Sequence, residues 1–304
     1  MIAQTKKIKE RLLDIKNGKI KEGLGIGIPE IDEYLRYKQG DFNLVIGHAN
    51  VGKTTFICYL LVLWAVKHKL RFVIWSSENT SDSIMRKFIE FKMGKPIHVA
   101  NEMEIDKALQ WCDTYFKIID VQDLYTYKDL LKELNDIKDA WDYHGALIDP
   151  YNSLAVDQQL MRGVGSHLYD YQVATEFRLF AKQRNVTVFL NAHGVTEAMR
   201  KTYPKGHEYE GLPQPLGMAS VEGGGKWGNR ADNCISVHRM TGHPTLWMYT
   251  ELHVVKIKCY ESGGRCTPHN SPIKLRMSKN NVGFEFLEKD LLHSKKQEVK
   301  QIEF

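Results

Sequence analysis

Eight consecutive residues, Gly47-His48-Ala49-Asn50-Val51-Gly52-Lys53-Thr54, constrain this 304-residue chain more than any other feature. They fit the pattern G-x-x-x-x-G-K-[ST], and they lie between an apolar β-rich run at Phe42–Ile46 and an apolar helical run at Thr54–Val66. A strand that breaks into a glycine-containing loop and re-enters as a helix aims backbone N–H groups at one point, with the positive end of the helix behind them. Such a loop takes phosphate. Lys53 is expected to reach the outer phosphates of ATP, and the Thr54 hydroxyl to ligate Mg²⁺. Gly47, Asn50, Val51, Gly52 and Thr55 complete the predicted nucleotide-binding set.

The rest of the pattern fits a domain built around that loop. Further β-rich apolar runs fall at Phe72–Trp75, Phe116–Ile119, Ala146–Ile148, Val186–Asn191 and Cys234–His238, with helical patterns near 54–68, 80–93, 126–143 and 169–184. Strands that are apolar on both faces and alternate with helices predict a mostly parallel sheet covered on both sides, an α/β fold. From about residue 245 the pattern becomes hairpin-like, so antiparallel strands are expected at the C-terminal end. Two segments read as irregular, about 157–165 and 196–225, each following the C-terminal end of a sheet strand, where ligands of open α/β sheets bind. Residues 1–22 read as an N-terminal helix, 23–290 as the ATPase domain and 291–304 as a polar tail. In the helix, Ile8, Leu12 and Ile15 form one stripe. A helix this short is marginal alone, so the stripe is expected to dock, either on its own domain or on a neighbouring subunit.

Composition excludes several classes. The net charge of +5 is compatible with a polyanionic partner without demanding one. The five cysteines are scattered, with neither C-x-x-C pairs nor histidine clusters, which argues against a zinc site or a disulfide framework and for a reducing compartment. The N-terminus has no apolar signal segment, and the longest apolar run is too short to span a bilayer. A cytoplasmic location, or a host cytoplasm for a viral protein, is expected, with no membrane partner.

Three further residues complete the predicted chemistry. Asp149 ends the apolar run Ala146-Leu147-Ile148 and is expected to hold the metal. Glu78 ends the run Phe72–Ser77 and is the candidate general base, because Pro150 and Tyr151 occupy the positions directly after Asp149. His193 follows the run Val188–Asn191 and is the candidate reporter of the γ-phosphate.

With these residues placed, the chain from about 23 to 287 resembles the RecA-like domain of hexameric replicative DNA helicases, most closely the Twinkle and phage primase–helicase branch of the DnaB type. Gly23-Leu24-Gly25-Ile26-Gly27 with Ile31-Asp32 is similar to the family's approach to the P-loop. Ser76-Ser77-Glu78 resembles its S-x-E motif, Ile148-Asp149-Pro150-Tyr151-Asn152 its I-D-P-W-N, and Ala192-His193 its sensor histidine. Trp227-Gly228-Asn229-Arg230-Ala231-Asp232-Asn233 is similar to W-x-N-K-A-D-N, the most distinctive match, and His253-Val254-Val255-Lys256-Ile257-Lys258 to H-V-L-K-x-R.

The resemblance implies an ATP-dependent ring, a hexamer in most members, that moves 5′ to 3′ on single-stranded DNA. It implies ATP sites between subunits and DNA contacts from the irregular segments, here Arg162, Arg200, Lys201 and Lys205. It also implies a trans-acting cation. Where the family carries an arginine finger this chain has Lys258, a point charge without arginine's planar fork. Lys258 acts with Lys256, or an arginine such as Arg239 or Arg265 compensates. No zinc ribbon or Toprim-like segment is read before the ATPase, so any primase, like any polymerase it meets, is expected to be a separate protein. Two other readings stay open: a RecA-like recombinase or regulatory ATPase, and a weakly active ATP-binding scaffold such as a helicase loader.

Overall fold

The computed structural model describes residues 4–17, 23–121 and 123–293. The helices are α1 (Thr5–Lys16), α2 (Pro29–Asp32), α3 (Lys53–His68), α4 (Ser81–Met93), α5 (Glu102–Tyr115), α6 (Tyr127–Ala140), α7 (Gln158–Arg184), α8 (Thr196–Met199), α9 (Gly225–Arg230) and α10 (Tyr260–Gly263). The strands are β1 (Phe42–Gly47), β2 (Phe72–Ser76), β3 (Phe116–Ile119), β4 (Gly145–Asp149), β5 (Thr187–His193), β6 (Asn233–His238), β7 (Tyr249–Ile257), β8 (Ile273–Met277), β9 (Phe284–Phe286) and β10 (Lys289–Asp290).

All ten strands form one sheet in the order β10-β9-β8-β7-β6-β1-β5-β4-β2-β3. The six strands from β6 to β3 run parallel, and β7 to β10 add an antiparallel extension. This is the predicted fold class. β1 is buried at every residue, as a central strand covered on both faces must be. On one face α3 is almost wholly buried, with Phe56, Trp64 and their neighbours packed against Phe72, Phe189 and Phe284. On the other face α6, α7 and α9 cover the sheet through Leu130, Phe177 and Trp227. Each fully buried side chain of this size contributes roughly 1.5–3 kcal/mol.

Three expectations change. Residues 157–165, read as irregular, are the first turns of α7. Asp157 caps them, its side chain accepting from the Leu160 N–H at 3.0 Å, and Lys128 pairs with Asp157 at 2.8 Å. Leu160, Met161 and Val164 pack on the core, so tertiary burial overrides the two glycines. Gly165 departs from helical geometry (φ 73°, ψ 161°), which kinks the helix. Helix α5 was not expected at all. An Asn101/Glu104 capping box starts it, and only Ala108 and Cys112 are buried, too few to mark a stripe. Helix α6 also stops at Ala140, three residues before the expected end.

Segment 196–225 is largely irregular as expected, and it is folded rather than loose. Tyr203 N donates to Leu212 O at 2.9 Å, Gly211 N to Tyr203 O at 3.1 Å and Gln214 N to Lys201 O at 3.0 Å, closing a hairpin-like lobe. In α1, Ile8 and Leu12 are 47% and 59% exposed, so their stripe is uncovered on this chain. The side chain of Ile15, residues 18–22 and most of the expected tail (294–304) lie outside the described residues.

Candidate active site

Strands β1, β2, β4 and β5 all end at the same edge of the sheet, and their last residues meet around the P-loop. Gly47 must be glycine, because a Cβ there would stand 2.3 Å from the Val237 carbonyl oxygen on β6. Gly52 adopts φ +89°, a left-handed conformation that lets the loop turn into α3. Lys53 is buried and folds back across the loop, its Nζ donating to Gly47 O at 3.0 Å and His48 O at 2.8 Å. Burial pushes the Lys53 ammonium below the usual lysine range, opposed by the charges of Asp149 and Glu78.

The register of β4 beside β2 and β5 brings three polar side chains onto Asp149. Thr54 Oγ1 donates to its Oδ2 at 2.7 Å, Asn191 Nδ2 to its Oδ1 at 2.6 Å, and Ser76 Oγ reaches Oδ2 at 3.5 Å. Asp149 is 2% exposed. Burial raises its pKa above the usual carboxylate range, and the hydrogen bonds from Asn191 and Thr54 offset this only in part. A buried carboxylate whose charge the chain undercompensates, touching a hydroxyl at the start of a P-loop helix, is a donor set that fits Mg²⁺.

Across the cleft, His193 Nε2 lies 3.0 Å from Glu78 Oε1, and both side chains remain partly exposed. The His193 N–H donates to Asn152 Oδ1 at 2.9 Å, and Asn152 Nδ2 donates to Glu222 Oε2 at 2.5 Å. The cleft, about 390 Å³, is lined by Asn50, Gly52, Lys53, Thr54, Glu78, Asp149 and His193 among others. Thr55 lines it too, whereas the Val51 side chain is buried, leaving its backbone to face phosphate. Sequence reading missed Asn191, Asn152 and Lys87, which also lines the cleft. Asn191 carried a usable signal: it is a polar residue inside an otherwise apolar strand beside the Asp149 strand.

The remaining candidates lie elsewhere. β7 runs antiparallel to β6, pairing Ile257 with Asn233, and Asn233 pairs with Asn43 at the start of β1. Lys256 and Lys258 therefore sit at the opposite edge of the sheet, about 17 Å from their own P-loop along the six residues of β1. Lys256 Nζ is held by Gly228 O and Ala231 O, both at 2.7 Å. The Lys258 side chain is 54% exposed and pairs with Asp232 at 3.4 Å. Arg265 pairs with Glu33 and lies over the Tyr34 ring. Arg239 is on the P-loop edge, in a small pocket with Val51, Gly52 and Thr55. Arg200, Lys201 and Lys205 share the exposed lobe after β5, while Arg162 is exposed on α7, a separate element.

Segment 227–233 closes that far edge. Trp227 is fully buried against Tyr151, ring centroids 4.2 Å apart. Asp232 pairs with Arg178 at 3.1 Å, with Lys182 at 3.0 Å and with Lys258. Burial alone would raise the Asp232 carboxyl, but Lys182, the Phe42 N–H and Arg178 more than offset it and hold it below the usual range.

The chain is 25% identical over 230 residues to the Twinkle homolog protein, chloroplastic/mitochondrial, of Arabidopsis thaliana, a match covering 71% of this chain and 30% of that protein. Its structure superposes on the ATPase domain of G40P with a TM-score of 0.75 at 13% identity, over 95% of this chain and 100% of that one. A DnaB-like replicative helicase, solved with its interactions with primase, gives a TM-score of 0.70 at 14% identity, over 95% of this chain and 68% of that one. This is the RecA-like fold of DnaB-type helicase domains. No protein-family model matches the chain. The chain spans less than a third of the plant relative's length. Among the described residues no helix is long and apolar enough to cross a membrane.

Proposed function

We propose that the chain is an ATP-hydrolysing ring helicase that moves along single-stranded DNA, 5′ to 3′ by resemblance, as a hexamer. One observation carries this reading: Lys53, Thr54, Asp149, Glu78 and His193 converge in one cleft, and the strand that ends in His193 runs directly into the basic lobe at 200–205. The P-loop N–H groups and Lys53 bind the phosphates, with Lys53 swinging from its two carbonyl partners onto the outer ones. Thr54 and Asp149 would hold Mg²⁺, which would supply charge neutralisation for the nucleotide phosphates. Glu78 orients the attacking water and takes its proton. His193, in contact with Glu78, reads the presence of the γ-phosphate, and Asn152 and Glu222 pass that state to the end of the 196–225 segment.

The far-edge cations complete the site of a neighbouring copy. Lys258 is the exposed candidate, because Lys256 is spent on carbonyl oxygens. The uncovered stripe of α1 grips the adjacent subunit, and Arg162, Arg200, Lys201 and Lys205 hold the DNA backbone. Any primase or polymerase it meets is expected to be a separate protein. The test is ATP hydrolysis with and without single-stranded DNA, followed by unwinding of a forked duplex. DNA-stimulated hydrolysis with unwinding by closed rings supports the reading. No hydrolysis in the presence of DNA, or filaments without unwinding, overturns it.

A further inference from the structure

A second cavity is larger than the nucleotide cleft. It lies between the 200–214 lobe and strands β7 and β8, with a volume of about 720 Å³, within the roughly 300–1,000 Å³ typical of small-ligand sites. One wall is aromatic. Tyr203 and His207 stack with ring centroids 4.3 Å apart and planes 21° from parallel, and Tyr209 meets Tyr203 edge-on at 5.6 Å. The lobe's own backbone hydrogen bonds hold these rings in place. The opposite wall carries Glu251, paired with Lys274 at 3.2 Å. Lys201 stands on the rim, and Arg200 and Lys205 are exposed on the same segment, without ion pairs among the described residues.

From this arrangement we infer that the cavity receives a nucleobase of the single strand, stacked on the Tyr203–His207–Tyr209 wall while Arg200, Lys201 and Lys205 hold the flanking phosphates. The inference rests on the single-stranded DNA reading and deepens it, from a grip on backbone alone to a grip that also takes a base. The charge distribution separates the two parts of a nucleotide. Inside, Glu251 is matched by Lys274 and touches His253 at 3.3 Å, so that wall adds no net positive charge for a phosphate. Glu208, also in the lining, can accept from the N–H edge of a base, and Arg200, Lys201 and Lys205 favour the phosphates. Interleaved basic and aromatic residues, Arg200-Lys201-Thr202-Tyr203-Pro204-Lys205-Gly206-His207-Glu208-Tyr209, supply both within ten positions.

The cavity is also wired to the ATP site. His48, inside the P-loop, donates from Nε2 to Gln214 O at 2.8 Å, and its own carbonyl accepts from Lys53 Nζ at 2.8 Å. Gln214 N in turn donates to Lys201 O. A base entering the lobe and a phosphate reaching Lys53 therefore act on opposite ends of His48.

The test compares two fluorescent oligonucleotides of equal length on the full chain, oligothymidylate and a backbone of abasic sites. Wild type is expected to bind oligothymidylate about tenfold tighter, the worth of one stacked base. Tyr203→Ala and His207→Ala should each lose most of that difference without changing abasic binding, and Tyr203→Phe, which keeps the ring face, should retain it. Excess thymidine monophosphate should not displace the oligonucleotide, whereas displacement would assign the cavity to a free nucleotide and overturn the strand assignment. Equal wild-type affinity for the two strands overturns the inference and leaves DNA binding standing. Binding to neither overturns the DNA reading as well.

Discussion

Asp149 and Asp232 are both 2% exposed, yet they sit at opposite edges of one sheet in opposite electrostatic states. Asp149 is surrounded by the neutral donors of Thr54 and Asn191, and burial raises its pKa. Asp232 is surrounded by Arg178, Lys182 and Lys258, and its pKa is lowered despite equal burial. Burial costs the two the same kind of penalty, so the difference lies in whether the chain supplies the countercharge. At the far edge it does, with cations to spare. At the P-loop edge it offers Lys53 alone, whose pull does not overcome burial, and a metal would supply the rest.

The comparison breaks most visibly at Glu78. Glu78→Gln is expected to lower ATP hydrolysis by about 10²–10⁴-fold while leaving nucleotide binding intact, measured by steady-state turnover and by binding of a fluorescent ATP analogue. Turnover within a few-fold of wild type would move the base to another residue. A smaller effect separates the two aspartates directly. Asp232→Asn leaves Arg178 and Lys258 without this buried carboxylate, while Lys182 keeps Asp41 at 2.8 Å, and is expected to cost about 2 kcal/mol in urea denaturation. Because the folded pKa of Asp232 is lowered, its contribution is present above the ordinary carboxylate pKa and is lost as pH falls through the folded value. The gap between wild type and Asp232→Asn should therefore be constant near neutral pH and close on acidification below about pH 4. The smallest effect is at the other edge. In chelator, Asp149→Asn is expected to be neutral or stabilising by about 1 kcal/mol or less, since it removes a buried charge the chain does not pair. A loss as large as that of Asp232→Asn would mean that the P-loop edge is compensated after all.

Much of this was legible before any coordinates. The parallel strands announce themselves because each is apolar on both faces, and the P-loop, Asp149, Glu78 and His193 are chain positions at strand ends, which a period and a motif suffice to find. What was not legible depends on packing between distant segments. Helix α5 buries two residues and presents no stripe. The first turns of α7 carry Gly163 and Gly165 and are held by Leu160 and Met161 on the core, a contact that no local pattern shows. Asn191 joins the site only through the register of β5 against β4. The distance of Lys258 from its own P-loop follows from the antiparallel pairing of β7 with β6, which no local pattern encodes.

That distance makes the central claim testable in one mixing experiment. Lys53→Ala and Lys258→Ala are each expected to be nearly inactive alone, the first for want of a phosphate-binding lysine and the second for want of the cation it gives its neighbour. Mixed in equal amounts under conditions of subunit exchange, they place an intact P-loop beside an intact Lys258 at about a quarter of head-to-tail interfaces. Hydrolysis should recover to about that fraction of wild type. Full activity of Lys258→Ala alone, or no recovery on mixing, would contradict an ATP site shared between copies of the chain.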